Sequence, residues 1–255
     1  MNFNISANTD IGTRKKTNQD SLSVKVVNTK QGRMTIAVLC DGMGGLEKGE
    51  MASASVIKAM EDWTREKLPI LCEQPLDFSK VQVQWETMMG QLNHELIRYG
   101  NQCGVKLGTT VVAMLITESR YLIMNVGDSR AYEITDSIIQ LTEDHSLVAR
   151  EVALGKLTKE EAETDKRNNI LLQCVGASGT VSPDFFVGAT KLPAVYMLCS
   201  DGFRHYVKPH EMFEGLNPKV LTNEQIMYKN GNQLIELNKM RNEKDNISVA
   251  LIRTC

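Results

Sequence analysis

Apolar residues recur along this chain with two different periods, and the changes of period divide it into elements. Residues 3–7 set Phe3, Ile5 and Ala7 against polar neighbours, and residues 22–26 do the same with Leu22, Val24 and Val26, which predicts two half-buried strands. Thr35-Ile36-Ala37-Val38-Leu39-Cys40 is of low polarity throughout, as in a strand covered on both faces, although a short buried helix also fits that run. From Glu50, Ala52, Val56, Ala59/Met60 and Trp63 fall at helical spacing. A second and longer stripe follows from Ser79, through Val81, Trp85, Met88, Leu92, Leu96 and Tyr99. The character then turns to β over 109–116, 121–126, 130–134 and 138–141, with joins too short for helical crossovers, which predicts an antiparallel meander. Residues 146–163 read as helical, with Thr158 as a cap before Lys159-Glu160-Glu161, and interrupt the β region as an excursion over the surface. Strands are expected again at 181–187 and 194–199, a helix over 224–240, and a last strand at 247–252.

Composition narrows the classes. The 255 residues are 42% hydrophobic and 24% charged, no Pro-, Ser- or Gly-rich linker divides them, and one domain is expected. A formal net charge of −2 gives no global reason to bind nucleic acid or an anionic membrane. The first residues lack a basic and then apolar leader, and no run approaches a membrane span, so the expected location is the cytoplasm. Cys40, Cys72, Cys103, Cys174, Cys199 and Cys255 show no C-x-x-C spacing, which argues for reduced core residues rather than a zinc ribbon or redox pair.

The candidate chemistry lies at the ends of the apolar runs. The run 35–40 stops at Asp41-Gly42-Met43-Gly44-Gly45, where glycines allow close backbone approach to a ligand or ion. Taken alone, an Asp-Gly pair is more often a plain turn. The pattern recurs, however: residues 194–199 end in Ser200-Asp201-Gly202, residues 121–126 end in Gly127-Asp128, and Asp245 stands just before the last strand. If these four acids converge, repulsion and desolvation demand cations. Carboxylates and a glycine carbonyl, without a set of Cys or suitably spaced His ligands, select Mg²⁺ or Mn²⁺. Two such ions polarise a shared water into hydroxide, which suits hydrolysis at phosphorus with a basic side chain holding the phosphoryl oxygens. A loop over 10–20 offers Arg14, Lys15 and Lys16 and ends on Asp20; by itself it reads as a solvated basic turn.

These residues also carry a resemblance. Asp41-Gly42-Met43-Gly44-Gly45, Gly108-Thr109-Thr110, Asn125-Val126-Gly127-Asp128-Ser129-Arg130, Leu141-Thr142-Glu143-Asp144-His145-Ser146, Ser200-Asp201-Gly202 and Asp245-Asn246-Ile247-Ser248-Val249 resemble, in order, the motifs of metal-dependent type 2C serine/threonine protein phosphatases. The resemblance implies an α+β fold, a four-layer α-β-β-α sandwich of two antiparallel sheets flanked by helices, as one catalytic domain over 1–255 with a flap at about 148–180. It implies that Asp41 bridges two Mn²⁺ or Mg²⁺ ions, with the Gly42 carbonyl on one and Asp201 and Asp245 on the other. Asp128, with Asp201, would hold a weaker third ion, and Asp20 would act through water. Asp41, Asp201 and Asp245 are thus the catalytic set, and His145 is read as structural. The implied reaction is attack of metal-bridged hydroxide on a phosphoserine or phosphothreonine monoester, with no phosphoenzyme. The implied partners are phosphoproteins, including a serine/threonine kinase and its substrates, met by a monomer.

The chain departs from the family pattern in places. The phosphate-binding arginine position falls on Lys15 with Arg14 beside it, and lysine offers charge without a bidentate fork. Met43 stands where animal members have a histidine proposed as general acid, so the leaving group takes its proton from water. Gln19 replaces an acid often found before Asp20, and Asp165 stands where related bacterial sequences frequently have a histidine.

Two other classes fit the sequence less well. A nucleotide-binding module would use the strand, Gly-rich turn and helix as a phosphate cradle, but neither G-x-x-x-x-G-K-[ST] nor G-x-G-x-x-G occurs, and Asp41 would repel a bare pyrophosphate. A non-catalytic phosphoprotein-binding relative has no need to keep four strand-end acids.

Overall fold

The computed structural model describes residues 1–43 and 48–255. In chain order they form β1 (Phe3–Asp10), β2 (Ser21–Thr29), β3 (Gly32–Cys40), α1 (Gly49–Glu66), α2 (Leu68–Leu71), α3 (Phe78–Cys103), β4 (Val111–Ile116), β5 (Arg120–Val126), β6 (Arg130–Ile134) and β7 (Ile138–Gln140). There follow α4 (Leu147–Ala153), α5 (Lys159–Thr164), β8 (Asp184–Ala189), β9 (Ala194–Cys199), α6 (Asp201–Arg204), α7 (Pro209–Leu216), α8 (Glu224–Met240) and β10 (Ile247–Thr254). Gly44 and Gly45, singled out in the sequence, lie outside the described residues.

Two antiparallel five-stranded sheets result, ordered β1-β10-β9-β6-β7 and β2-β3-β4-β5-β8. Their facing sides meet through Leu39, Val112, Met114, Ile123, Tyr196, Leu198 and Ile252. The continuous apolar runs of β3, β4, β9 and β10 follow from this burial on both faces: the alternate residues that point away from the other sheet are covered by helices. Ile36, Val38 and Leu115 meet Val56 and Met60 of α1 and Val81 and Trp85 of α3. Val195, Met197 and Val249 meet Met212 of α7 and Leu234 and Ile235 of α8. The layers are therefore helix, sheet, sheet, helix. No helix among the described residues is long and apolar enough to cross a membrane.

The structure differs from the sequence pattern at three places. Strands β4 to β7 are not one meander: β5 pairs with β4 and β8, whereas β6 pairs with β7 and β9 in the other sheet. A three-residue join serves a corner as well as a hairpin, and Gly127, at φ +106°, turns the chain from one sheet into the other. The buried face of α3 runs through Phe78, Val81, Trp85, Met89, Asn93, Leu96 and Gly100, so Tyr99 lies on its shoulder, 39% exposed. Asn93 is buried because it accepts from the Gly176 N–H at 2.8 Å and donates to the Ser178 carbonyl at 2.9 Å. The strand expected at 181–187 starts later, at Asp184. The Thr158 cap forms as a full capping box with Glu161. Cys40, Cys72, Cys174 and Cys199 are buried and reduced, while Cys103 and Cys255 are exposed.

Candidate metal centre

Asp41 stands one residue beyond β3, held by the Gly108-Thr109-Thr110 segment. Its N–H donates to Thr110 Oγ1 at 3.0 Å, and its carbonyl accepts from the Thr110 N–H and from Thr109 Oγ1, both at 2.9 Å. Thr110 Oγ1 also shares a 2.7 Å hydrogen bond with Ser129 Oγ, which ties this turn to the one carrying Asp128. The next residue has no room for a side chain: a Cβ on Gly42 would come within 2.5 Å of the Gln19 carbonyl and 2.6 Å of the Gly49 backbone. The Gln19 carbonyl takes the Gly42 N–H at 3.1 Å, so Asp20 is brought beside Asp41.

Asp201 opens α6, two residues after the end of β9. A Cβ on Gly202 would strike the Asn246 carbonyl, and this close approach lets the Asp245-Asn246 turn lie against Asp201. Asn246 ties that turn to the basic loop, with Nδ2 donating to the carbonyls of Ile11 at 2.9 Å and Thr17 at 3.2 Å and Oδ1 accepting from the Gln19 N–H at 2.9 Å. The Asp-Asn pair therefore supplies both an acid and the splint that orients Asp20.

The structure thus brings Asp20, Asp41, Asp128, Asp201 and Asp245 into one electrostatic cluster at an end of the sandwich. Burial, then the charges of Asp20 and Asp201 and those of Asp128 and Asp245, push the Asp41 carboxyl well above the ordinary carboxylate range. Burial raises Asp20 to about 7, tempered by Ser248 and reinforced by Asp201. Asp128 also rises to about 7, through burial and the Asp201 charge against the pull of Arg204. Asp201 goes the other way: burial raises it, but His205, Arg204 and the Asp41 carboxyl outweigh burial.

Both carboxylate oxygens of Asp20 and Oδ1 of Asp201 are buried without a hydrogen-bond partner among the described residues. Ser248 and Ser200 lie near Asp20, yet Ser248 Oγ is bonded to Thr9 Oγ1 at 2.8 Å, and Ser200 Oγ accepts from the Ser248 N–H at 3.0 Å. Orphaned buried carboxylates are costly, and hard divalent cations suit such a donor set. Among the described residues the acids do not close into a ready-made group of three or more ligands. Protein cations hold some of them instead: Lys15 Nζ lies 2.6 Å from Asp245 Oδ1, and Arg204 Nη2 lies 3.2 Å from Asp128 Oδ2. Arg14 is exposed and has no hydrogen bond or ion pair among the described residues.

Sequence reasoning passed over Arg204, His205 and Glu243. His205 Nδ1 lies 2.9 Å from Glu243 Oε2 and its Nε2 3.4 Å from Asp201 Oδ2. Burial lowers the His205 pKa, but Glu243 and Asp201 more than reverse this and hold it above the usual value. The other Glu243 oxygen accepts the N–H groups of Lys244 at 2.6 Å and Asp245 at 2.8 Å. The available signal was position: Arg204 and His205 follow Asp201 by three and four residues, which one helical turn puts on the same side.

His145 makes structural contacts. Its Nδ1 accepts from the Gly127 N–H at 3.2 Å and faces Gln173 Nε2 at 2.7 Å, which leaves Nε2 to donate to Asp184 Oδ2 at 2.9 Å. It thereby joins the Asp128 turn to residues 171–184. In the neighbouring excursion Arg167 Nη2 reaches Glu151 Oε2 at 2.8 Å and Asp165 Oδ2 at 2.7 Å, so Asp165 serves an ion pair there.

Comparison with known proteins identifies the relatives of this chain. The family described as protein phosphatase 2C matches residues 12–226. The chain is similar to the serine/threonine phosphatase stp of Listeria innocua, with 31% identity over 247 residues that cover 96% of this chain and 93% of the relative. It is similar to protein phosphatase PhpP of Streptococcus pneumoniae, with 28% identity over 250 residues, 97% of this chain and 96% of that one. Among solved structures, the serine/threonine phosphatase Stp1 from Staphylococcus aureus superposes with a TM-score of 0.85 at 30% identity, over 100% of this chain and 96% of that chain.

Proposed function

Because the chain belongs to the protein phosphatase 2C family and is a serine/threonine phosphatase of that type, we propose that its clustered acids hold two Mn²⁺ or Mg²⁺ ions and that water attacks the phosphorus directly, with no phosphoenzyme. Asp41, the Gly42 carbonyl, Asp201 and Asp245 would be the ligands, and Asp20 would orient water beside them. Bound there, the ions would supply Lewis acidity, which makes water nucleophilic at neutral pH and offsets charge on the phosphoryl oxygens.

The chain's own residues do the positioning. Lys15, on a loop at the rim of the cluster, is the cation placed to steady the phosphoryl group, and Arg14 points to solvent. Met43 has no proton to give, so water protonates the leaving serine or threonine oxygen. Residues 148–180 would border the substrate as a flap. The substrates would be phosphoserine and phosphothreonine proteins, among them a serine/threonine kinase and its targets, met by a monomer in the cytoplasm.

The observation that carries this reading is the set of orphaned carboxylate oxygens on Asp20 and Asp201, inside a cluster of acids whose burial is uncompensated without cations. The test is phosphate release from a phosphothreonine peptide with Mn²⁺, Mg²⁺ or a chelator. Metal-dependent turnover is expected; a folded, metal-loaded protein with no turnover would overturn the proposal.

A further inference from the structure

We infer that Arg204 is a built-in cation for Asp128, so that this phosphatase holds two metal ions and a guanidinium takes the place of a third. The inference rests on the two-ion reading above and deepens it.

Arg204 is delivered by the same turn of α6 that begins at Asp201. Its Nη2 donates to the Asp128 carbonyl at 3.1 Å and to Asp128 Oδ2 at 3.2 Å, and lies 3.7 Å from Asp144 Oδ2. Asp144 is itself gripped by Arg130, whose Nε and Nη2 reach its two oxygens at 2.8 Å and 2.7 Å while Nη1 donates to Tyr132 Oη at 3.2 Å. Two acids and two guanidiniums therefore alternate in one row, and their formal charges cancel. By contrast, both carboxylate oxygens of Asp20 and Oδ1 of Asp201 are buried without a hydrogen-bond partner among the described residues.

Arg204 differs from Lys15 in what it can do when a metal ion arrives. Lys15 sits on the 10–20 loop, and a flexible stem lets its ammonium leave Asp245 for water or phosphate. The Arg204 side chain is 15% exposed, and its Nε is buried with no hydrogen-bond partner among the described residues. Its charge has Asp128 and Asp144 as compensation, and withdrawing it from Asp128 would strand a guanidinium in a low-dielectric site. A divalent ion on Asp128 Oδ2 would either evict that guanidinium or share an oxygen with it at like charge. The arrangement favours neither. Asp128 thus positions Arg204 rather than binding an ion.

The test is Mn²⁺ titration of the whole chain by calorimetry, with bound metal counted after dialysis. Wild type is expected to take up two ions, and Asp128→Asn to keep both. Arg204→Thr, which frees Asp128, is expected to gain a third ion that is lost again when Asp128→Asn is added. Three ions in wild type, one of them lost in Asp128→Asn, would overturn the inference while leaving the two-ion reading intact; no bound ion at all would overturn the two-ion reading itself. Should Arg204→Thr fail to fold, the comparison of wild type with Asp128→Asn still decides, and Arg204→Lys, which keeps the charge, is expected to stay at two ions.

Discussion

Lys15 Nζ and Asp245 Oδ1 lie 2.6 Å apart, so the basic loop reaches into the acid cluster through its second cation and not its first. The two roles proposed for these residues compete: a metal ion on Asp245 displaces the ammonium, which is then free for phosphate. Lys15→Ala is therefore expected to raise KM for a phosphopeptide by roughly ten-fold, the scale of one charge-assisted hydrogen bond. The same change should tighten metal binding, because a competitor for Asp245 is gone. Arg14→Ala should leave both nearly unchanged. A larger KM effect from Arg14 than from Lys15 would assign the phosphate to the arginine.

The choice between those neighbours was not legible in the sequence, because loop geometry decides which of two adjacent side chains turns inward. What was legible had a local cause. Apolar runs such as 35–40 and 194–199 reported burial between two layers, and the acids that end them are ones the structure brings into the cluster. The switch of sheets between β5 and β6 was hidden, since a join that short allows a hairpin or a corner. Helices α2, α6 and α7 are too brief to show a period. Arg204 and His205 were missed for the same reason, although their spacing from Asp201 was there to be read.

Removing the Asp41 carboxylate, a proposed ligand, should have opposite effects on activity and on metal-free stability. Asp41→Asn and Asp201→Asn are each expected to lower kcat/KM by at least about 100-fold, beyond the usual effect of changing an outer-shell residue. Burial and the charges of its neighbours hold the Asp41 carboxyl well above the ordinary carboxylate range, so Asp41→Asn should raise Tm in chelator. Near-normal turnover by either variant would remove that residue from the metal site, and a lowered Tm for Asp41→Asn would contradict the electrostatic account.

His205 and Glu243 link two of the proposed ligands. One Glu243 oxygen holds His205 against Asp201, and the other holds the backbone of the turn that presents Asp245. His205→Ala is expected to weaken Mn²⁺ binding by about 10–100-fold, the range for groups that orient metal ligands. At saturating Mn²⁺ its KM for the phosphopeptide should stay close to wild type. A change in KM without a change in metal affinity would place His205 at the substrate instead.

Protonation of the buried acids bears on both metal-free stability and metal binding. Asp20 and Asp128 are raised from 3.8 to about 7 without metal, so between those values the folded chain binds more protons than the unfolded one. Metal-free stability is therefore expected to be present at acid pH and to fall as pH rises from about 4 to about 7. Apparent Mn²⁺ affinity should rise with pH, because Asp41, a proposed ligand whose carboxyl is held well above the ordinary carboxylate range, must be deprotonated to bind. Thermal denaturation in chelator, paired with Mn²⁺ titrations at each pH, checks both signs; stability that climbs with pH in chelator would contradict the burial of these acids.

The hydroxyl of Thr110 couples the two halves of the site. It accepts the Asp41 N–H at 3.0 Å and shares a proton with Ser129 Oγ at 2.7 Å, and so fixes the tip of β3 to the turn between β5 and β6. Thr110→Val keeps the shape and removes both bonds, leaving a buried N–H and a buried hydroxyl unpaired. The expected cost is about 1–3 kcal/mol of stability, read as a lower denaturation midpoint. Because Asp41 is oriented through that N–H, metal affinity should fall as well. Thr110→Ser keeps the hydroxyl while giving up the methyl, and should restore metal affinity even where it leaves some stability unrecovered. If valine and serine weaken metal binding equally, packing of the methyl and not the hydrogen bond positions Asp41.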